Sequence, residues 1–172
     1  MDMVRRPSRA VELEDIISSE IIGDDPEIVS AVLNTHLALE AILIEMLGLL
    51  QAGEKRFGSP FPAKTKWLLE HGILLDSDKV AFDRFNEFRN DLAHIFGHKT
   101  ELLDVLKLAR ELESNGIDFS DSVGHCSEIE ATKFYGGTIG VLAEIGWCIL
   151  FHAAYILQDA GGRDIFSADA AT

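Results

Sequence analysis

Two long apolar stretches constrain this chain more than any other feature. They are LALEAILIEMLGLL, residues 37–50, and IGVLAEIGWCILFHAAYIL, residues 139–157. Each is too long for a strand, and neither shows strict alternation. Helical spacing extends over most of the remainder, with only 4 prolines to interrupt it. The chain therefore reads as all-α, and its task is to bury two helices that are apolar around most of their circumference. The 139–157 stretch is long enough to cross a bilayer, but it carries Glu144 and His152. Ionisable groups in lipid are costly, so the expected place for this helix is the centre of a bundle, with no membrane involved.

Helix punctuation divides the chain. Residues 1–10 read as a flexible arm, residues 11–161 as one helical bundle domain and residues 162–172 as a flexible tail. Inside the domain a short helix is expected over 11–22. Asp25 and Pro26 then open a long helix reaching about Ala52, with Gly53 as its cap. EKRFGSPFPAK reads as a loop, followed by a helix over 63–71 that Gly72 closes. Asp76, Ser77 and Asp78 start a helix to about Phe96. Thr100 caps another, which Asn115–Gly116 ends. A last helix starts near Ile129 or Thr132 and runs to Gly161–Gly162. The expected architecture is four main helices plus one or two short ones. Gly136, Gly137 and Gly140 lack the order and the preceding strand of a dinucleotide loop, and are expected to permit close helix contact. Trp67, Trp147 and Tyr155 are expected in the core or in a dimer interface.

Charge and cysteine usage narrow the partners. The 172 residues carry 15 Lys plus Arg against 29 Asp plus Glu, a net charge of −14. So acidic a chain is no sequence-independent nucleic-acid coat, although a local site remains open to it. Cys126 and Cys148 form no C-x-x-C pair, and they read as reduced thiols of a cytoplasmic protein. No cofactor signature is present.

The segment AFDRFNEFRNDLAHIFGHKTELL is the most informative about chemistry. At 100° per residue, Ala81, Phe85, Phe88, Leu92 and Ile95 form one core stripe. Asn90 and His94 share the roughly opposite side, and Arg89 lies on the flank. Arg84 and Lys99 are the nearby cations. His94 and His98 are also four apart, and with Glu101 they make a weak candidate set of metal ligands without the Glu of H-E-x-x-H. On the earlier apolar helix His36 and Glu40 share a face. There Glu40 invites a lysine partner, Lys64 or Lys66, and is a candidate acid supporting the motif.

Arg89-Asn90-Asp91-Leu92-Ala93-His94 resembles the R-x(4–6)-H motif of the HEPN superfamily in its R-N-x-x-x-H form. The order of helices around it is also similar in outline to the mannitol operon repressor family. The HEPN resemblance implies a small helical bundle and metal-independent RNA cleavage leaving a 2′,3′-cyclic phosphate and a 5′-hydroxyl. In that reading His94 is the general acid or base, Arg89 binds the scissile phosphate, and Asn90 orients His94 or the phosphate. Arg89 and His94 lie about 140° apart around one helix, so a homodimer is expected to bring two motifs into one cleft. A toxin or defence role would imply an antitoxin partner. Antitoxin-paired members often carry Tyr two residues after the histidine, where this chain has Phe96. The mannitol-repressor likeness implies instead a non-catalytic regulator or adaptor that works through protein contacts.

Overall fold

The computed structural model describes residues 26–51, 54–94, 99–119 and 123–166, without the side chains of residues 54, 55 and 94. The described chain is all-α. Its helices are α1 (Pro26–Leu49), α2 (Glu54–Phe57), α3 (Phe61–Glu70), α4 (Asp76–His94), α5 (Leu102–Glu113), α6 (Glu128–Tyr135) and α7 (Thr138–Asp159). A 3-10 turn, Val123–His125, follows α5. The arm, the 11–22 helix, the Asp25 cap, the Gly53 cap and residues 95–98 lie outside the described residues.

The two apolar stretches find each other. α1 and α7 share the most extensive helix–helix contact in the protein. α1 contributes Val32, Leu39, Leu43, Met46 and Leu47, and α7 contributes Val141, Ile145, Ile149, Ala153 and Leu157, all buried. Their approach is close at Gly146, where a Cβ would stand 2.9 Å from the Thr35 hydroxyl oxygen. α4 lies against α1, α3 and α5. Ala81, Phe85 and Phe88 point into the core as the stripe predicts, and Phe82, outside that stripe, is fully buried beside them. The buried face is wider than one stripe because α4 has neighbours on more than one side.

α7 is not the central helix that its composition suggests. It buries one side only, and Trp147, Phe151 and Tyr155 are more than half exposed at four-residue spacing on the other. Trp147 and Tyr155 are therefore surface residues, while Trp67 is partly buried, stacked on His71. By length and composition α1 and α7 both meet the requirement for crossing a membrane. In this fold one side of each packs against the other, and part of the apolar surface of each stays exposed.

Several boundaries differ from the sequence pattern, each for a local reason. α1 stops at Leu49, and Gln51 takes the left-handed conformation at φ 53°. The segment read as a loop holds the one-turn α2, and α3 starts at Phe61 because Pro62 suits a first turn that donates no hydrogen bonds. Gly72 closes α3 at φ 73°, as expected. Asp78 caps α4 from inside its first turn, accepting the Leu75 N–H at 2.8 Å. Glu101 rather than Thr100 opens α5, with Asp104 Oδ2 accepting its N–H at 3.0 Å. The last long helix is two helices. Gly136 and Gly137 have φ of 80° and 92°, a conformation that L side chains avoid, and they turn the chain between α6 and α7.

Residues 162–166, read from sequence as the start of a loose tail, fold back on the bundle. Arg163 grips Glu45 of α1 with two bonds, 2.9 and 2.6 Å. This pairing holds the Glu45 carboxyl below the usual carboxylate range. Phe166 then lies on Phe151, with ring centroids 4.3 Å apart.

Candidate functional site

The motif occupies the C-terminal turns of α4, with His94 as the last helical residue. Arg89 is half-buried. Its Nη1 donates to Asn90 Oδ1 at 3.0 Å, so the two adjacent motif residues are clamped together. Its Nε is buried, and among the described residues no group accepts its proton. Among the described residues no carboxylate pairs with Arg89. Three other cations of α3 and α4 are paired with carboxylates: Lys64 with Glu40, Lys79 with Asp83 and Arg84 with Glu111.

Behind Arg89 stands a buried polar layer of which only one half was legible in the sequence. His36 of α1 is 5% exposed and faces Asn86 of α4, which is 6% exposed. The Asn86 carbonyl oxygen lies 2.9 Å from His36 Nε2, so that nitrogen carries the proton. In the neutral ring Nδ1 is then an acceptor, and it too is buried without a partner among the described residues. The His36 pKa is lowered from the ordinary 6.5, first by burial, with further lowering by Arg89 and Lys64. The Asn86 bond and Glu40 act in the opposite direction. The ring lies 4.8 Å, centroid to centroid, from Phe61. Asn86 sits at i−3 and i−4 from Arg89 and Asn90, so a helical wheel places it on their side of the helix. Its burial among apolar residues concealed it.

Histidine kept neutral by burial has a stability consequence. At pH well above 6.5 neither the folded nor the unfolded chain protonates this site. As pH falls through 6.5 the unfolded chain takes up the proton first, so the folded state loses ground until its own lower pKa is reached. The thermal midpoint is therefore expected to drop between about pH 7.5 and about pH 5.5. In His36→Asn that part of the drop should vanish. An unchanged slope in the variant would show that other groups carry it.

The supporting residues divide. Glu40 is where the sequence places it: its Oε1 accepts from Lys64 Nζ at 2.9 Å, and its charge reaches His36. Lys64 is 2% exposed and also donates to the Ser59 carbonyl oxygen. Lys64→Ala would leave both acceptors without their cation. A loss of about 2 kcal/mol is expected in urea unfolding, less than for a fully buried pair because Glu40 keeps some solvent. Lys64→Met with Glu40→Leu should recover most of it. Arg84 turns to Glu111 of α5 and also approaches Glu87, so it ties two helices together. Five residues before Arg89, it points well away from it around the helix. Lys99 is exposed between α4 and α5.

The weak metal set gains nothing. His98 lies outside the described residues, and Glu101 is the exposed first residue at the α5 start. Among the described residues no three His, Cys, Asp or Glu side chains gather at metal-binding distance. His125 is instead paired with Glu113 at 3.0 Å.

No protein-family model matches the chain, and no curated protein or solved structure matches it either. What stands is an all-α bundle in which a half-buried arginine near the end of α4 is clamped by its neighbouring asparagine and backed by a buried histidine of α1.

Proposed function

We propose that the end of α4 binds a phosphodiester and that the protein is a metal-independent endoribonuclease of the HEPN type. The observation that carries this reading is the state of Arg89. In a chain of net charge −14, where acids outnumber bases almost two to one, Arg89 has no carboxylate partner among the described residues. A guanidinium with no carboxylate partner among the described residues, on the helix that also carries a candidate acid–base histidine, suits an anionic substrate. Asn90 holds its orientation, which lets it meet a phosphate at little further entropic cost. His94 would move the proton of the ribose 2′-hydroxyl or of the leaving oxygen. A two-fold dimer would place the two motifs in one cleft.

The test is incubation of purified full-length protein with total RNA in EDTA, beside His94→Ala. The expected products carry 2′,3′-cyclic phosphate and 5′-hydroxyl ends and disappear in the variant. Cleavage that persists in His94→Ala, or its absence from a folded wild-type dimer, would overturn the reading.

A regulator acting through protein contacts is favoured by a different observation. Ile129 and Phe134 of α6 and Trp147 of α7 are each more than half exposed. Apolar side chains of this size on an acidic surface suit a protein partner. A wild-type protein inert on RNA would move the assignment to this reading.

A further inference from the structure

Two buried polar atoms, Nδ1 of His36 on α1 and Nε of Arg89 on α4, have no partner among the described residues. A buried polar atom without a hydrogen bond is costly, and native proteins satisfy nearly all of them through protein groups or ordered water. Other buried polar side chains of this bundle follow that rule. Lys64 meets Glu40 and the Ser59 carbonyl, Thr65 meets Asp83, and Asp78 meets His152.

The two atoms are complementary. His36 Nε2 gives its proton to Asn86 Oδ1 at 2.9 Å, so Nδ1 of the neutral ring can only accept. Arg89 Nε carries a proton and can only donate. Asn86 relates them in space, because it bonds to His36 and stands one helical turn before Arg89 on the same side of α4. The Arg89 charge acts on the His36 ring. One water molecule satisfies both atoms at once, accepting from the arginine and donating to the histidine.

Resting on the ribonuclease reading, we propose that His36 is a positioning residue for Arg89, holding the guanidinium through one buried water between Nδ1 and Nε. The guanidinium is then gripped at two nitrogens, Nη1 by Asn90 Oδ1 at 3.0 Å and Nε by the water. Nη2 is left for a phosphate oxygen. A planar group fixed at two points meets its substrate with little further loss of freedom. His36 touches no substrate, and it acts only through Arg89.

The experiment is NMR of the full ¹⁵N-labelled chain without RNA, at about pH 7.5, where a histidine of lowered pKa is neutral. The His36 ring should carry its proton on Nε2 and accept a hydrogen bond at Nδ1. The Arg89 Nε–H should exchange with solvent at least about tenfold more slowly than that of exposed Arg56, and should show cross-relaxation with a bound water. In His36→Gln the amide nitrogen can replace Nε2 toward Asn86, and nothing replaces Nδ1. This variant should speed Arg89 Nε–H exchange about two- to tenfold, the worth of one hydrogen bond, with the backbone amides of α4 unchanged. A residue that merely supported the fold would move both. Arg89→Lys is the reciprocal change, and it should shift the His36 Nδ1 resonance to that of a ring with no bond there. On RNA, His36→Gln should lower kcat/KM about two- to tenfold, and should have no effect in an Arg89→Ala background. A His36 ring protonated at Nδ1, Arg89 Nε–H exchange as fast as that of Arg56, or a His36 Nδ1 resonance unmoved by Arg89→Lys would each overturn the proposal, whatever happens to RNA. A wild-type chain that shows the bridge and leaves RNA intact would overturn the ribonuclease reading instead.

Discussion

Arg89→Ala is expected, on the proposed ribonuclease reading, to lower RNA cleavage by about a thousandfold with the fold retained. Removing one well-placed donor to a developing negative charge commonly costs about 3–4 kcal/mol, and such a factor follows from it. Arg89→Lys separates charge from geometry. Lysine keeps the positive charge but cannot use one nitrogen for Asn90 while presenting a planar edge to phosphate. It should recover only a small part of the rate. Asn90→Ala should fall between wild type and Arg89→Lys, because it releases the clamp at 3.0 Å and leaves the guanidinium present. Circular dichroism and thermal unfolding check the fold of each variant, since the buried Nε makes Arg89 part of the layer around His36. Variants that unfold along with losing activity would point to a structural role for Arg89.

Gly140→Ala is expected to destabilise the protein by about 3 kcal/mol, against the sign that helix propensity gives. Gly140 lies in the first turn of α7. In an ordinary helix, alanine is favoured over glycine by about 1 kcal/mol. Here a Cβ would stand 1.5 Å from the Tyr135 carbonyl oxygen. That neighbour is backbone, so it cannot rotate away, and the α6–α7 turn must open. Gly48 is the control. It is also helical, but a Cβ there meets nothing within 4 Å. Gly48→Ala should therefore stabilise by about 0.5 kcal/mol, reduced from the full value near the helix end. Urea midpoints decide both. A stabilised Gly140→Ala would mean that the turn between α6 and α7 is looser than this structure has it.

The two glycines mark the limit of reading from sequence. Both sit in helices; the sequence marks Gly140, with Gly136 and Gly137, as a place of close helix contact, but not which group it meets. The difference is a carbonyl brought close by the left-handed turn at Gly136 and Gly137. The same limit applies to the arginines. Arg84 and Arg89 occupy one helix and differ in role because α5 offers Glu111 to the first. No spacing on α4 encodes the position of Glu111.

The sequence by itself determined the helical class, most of the core and the existence of a polar motif on α4. Periodicity carries these, because a helix that buries one side must repeat apolar residues near every 3.6 positions. It also paired Glu40 with a lysine, because a carboxylate in an apolar helix needs a counter-charge. Tertiary structure alone decided that α7 lies at the surface with Trp147, Phe151 and Tyr155 outward. It decided that Asn86 joins His36, and that residues 162–166 close a cleft over α7. Composition states how much apolar surface a helix has, whereas its neighbours decide which part is covered. Contacts such as His36–Asn86, 50 residues apart, exist only after the chain has folded.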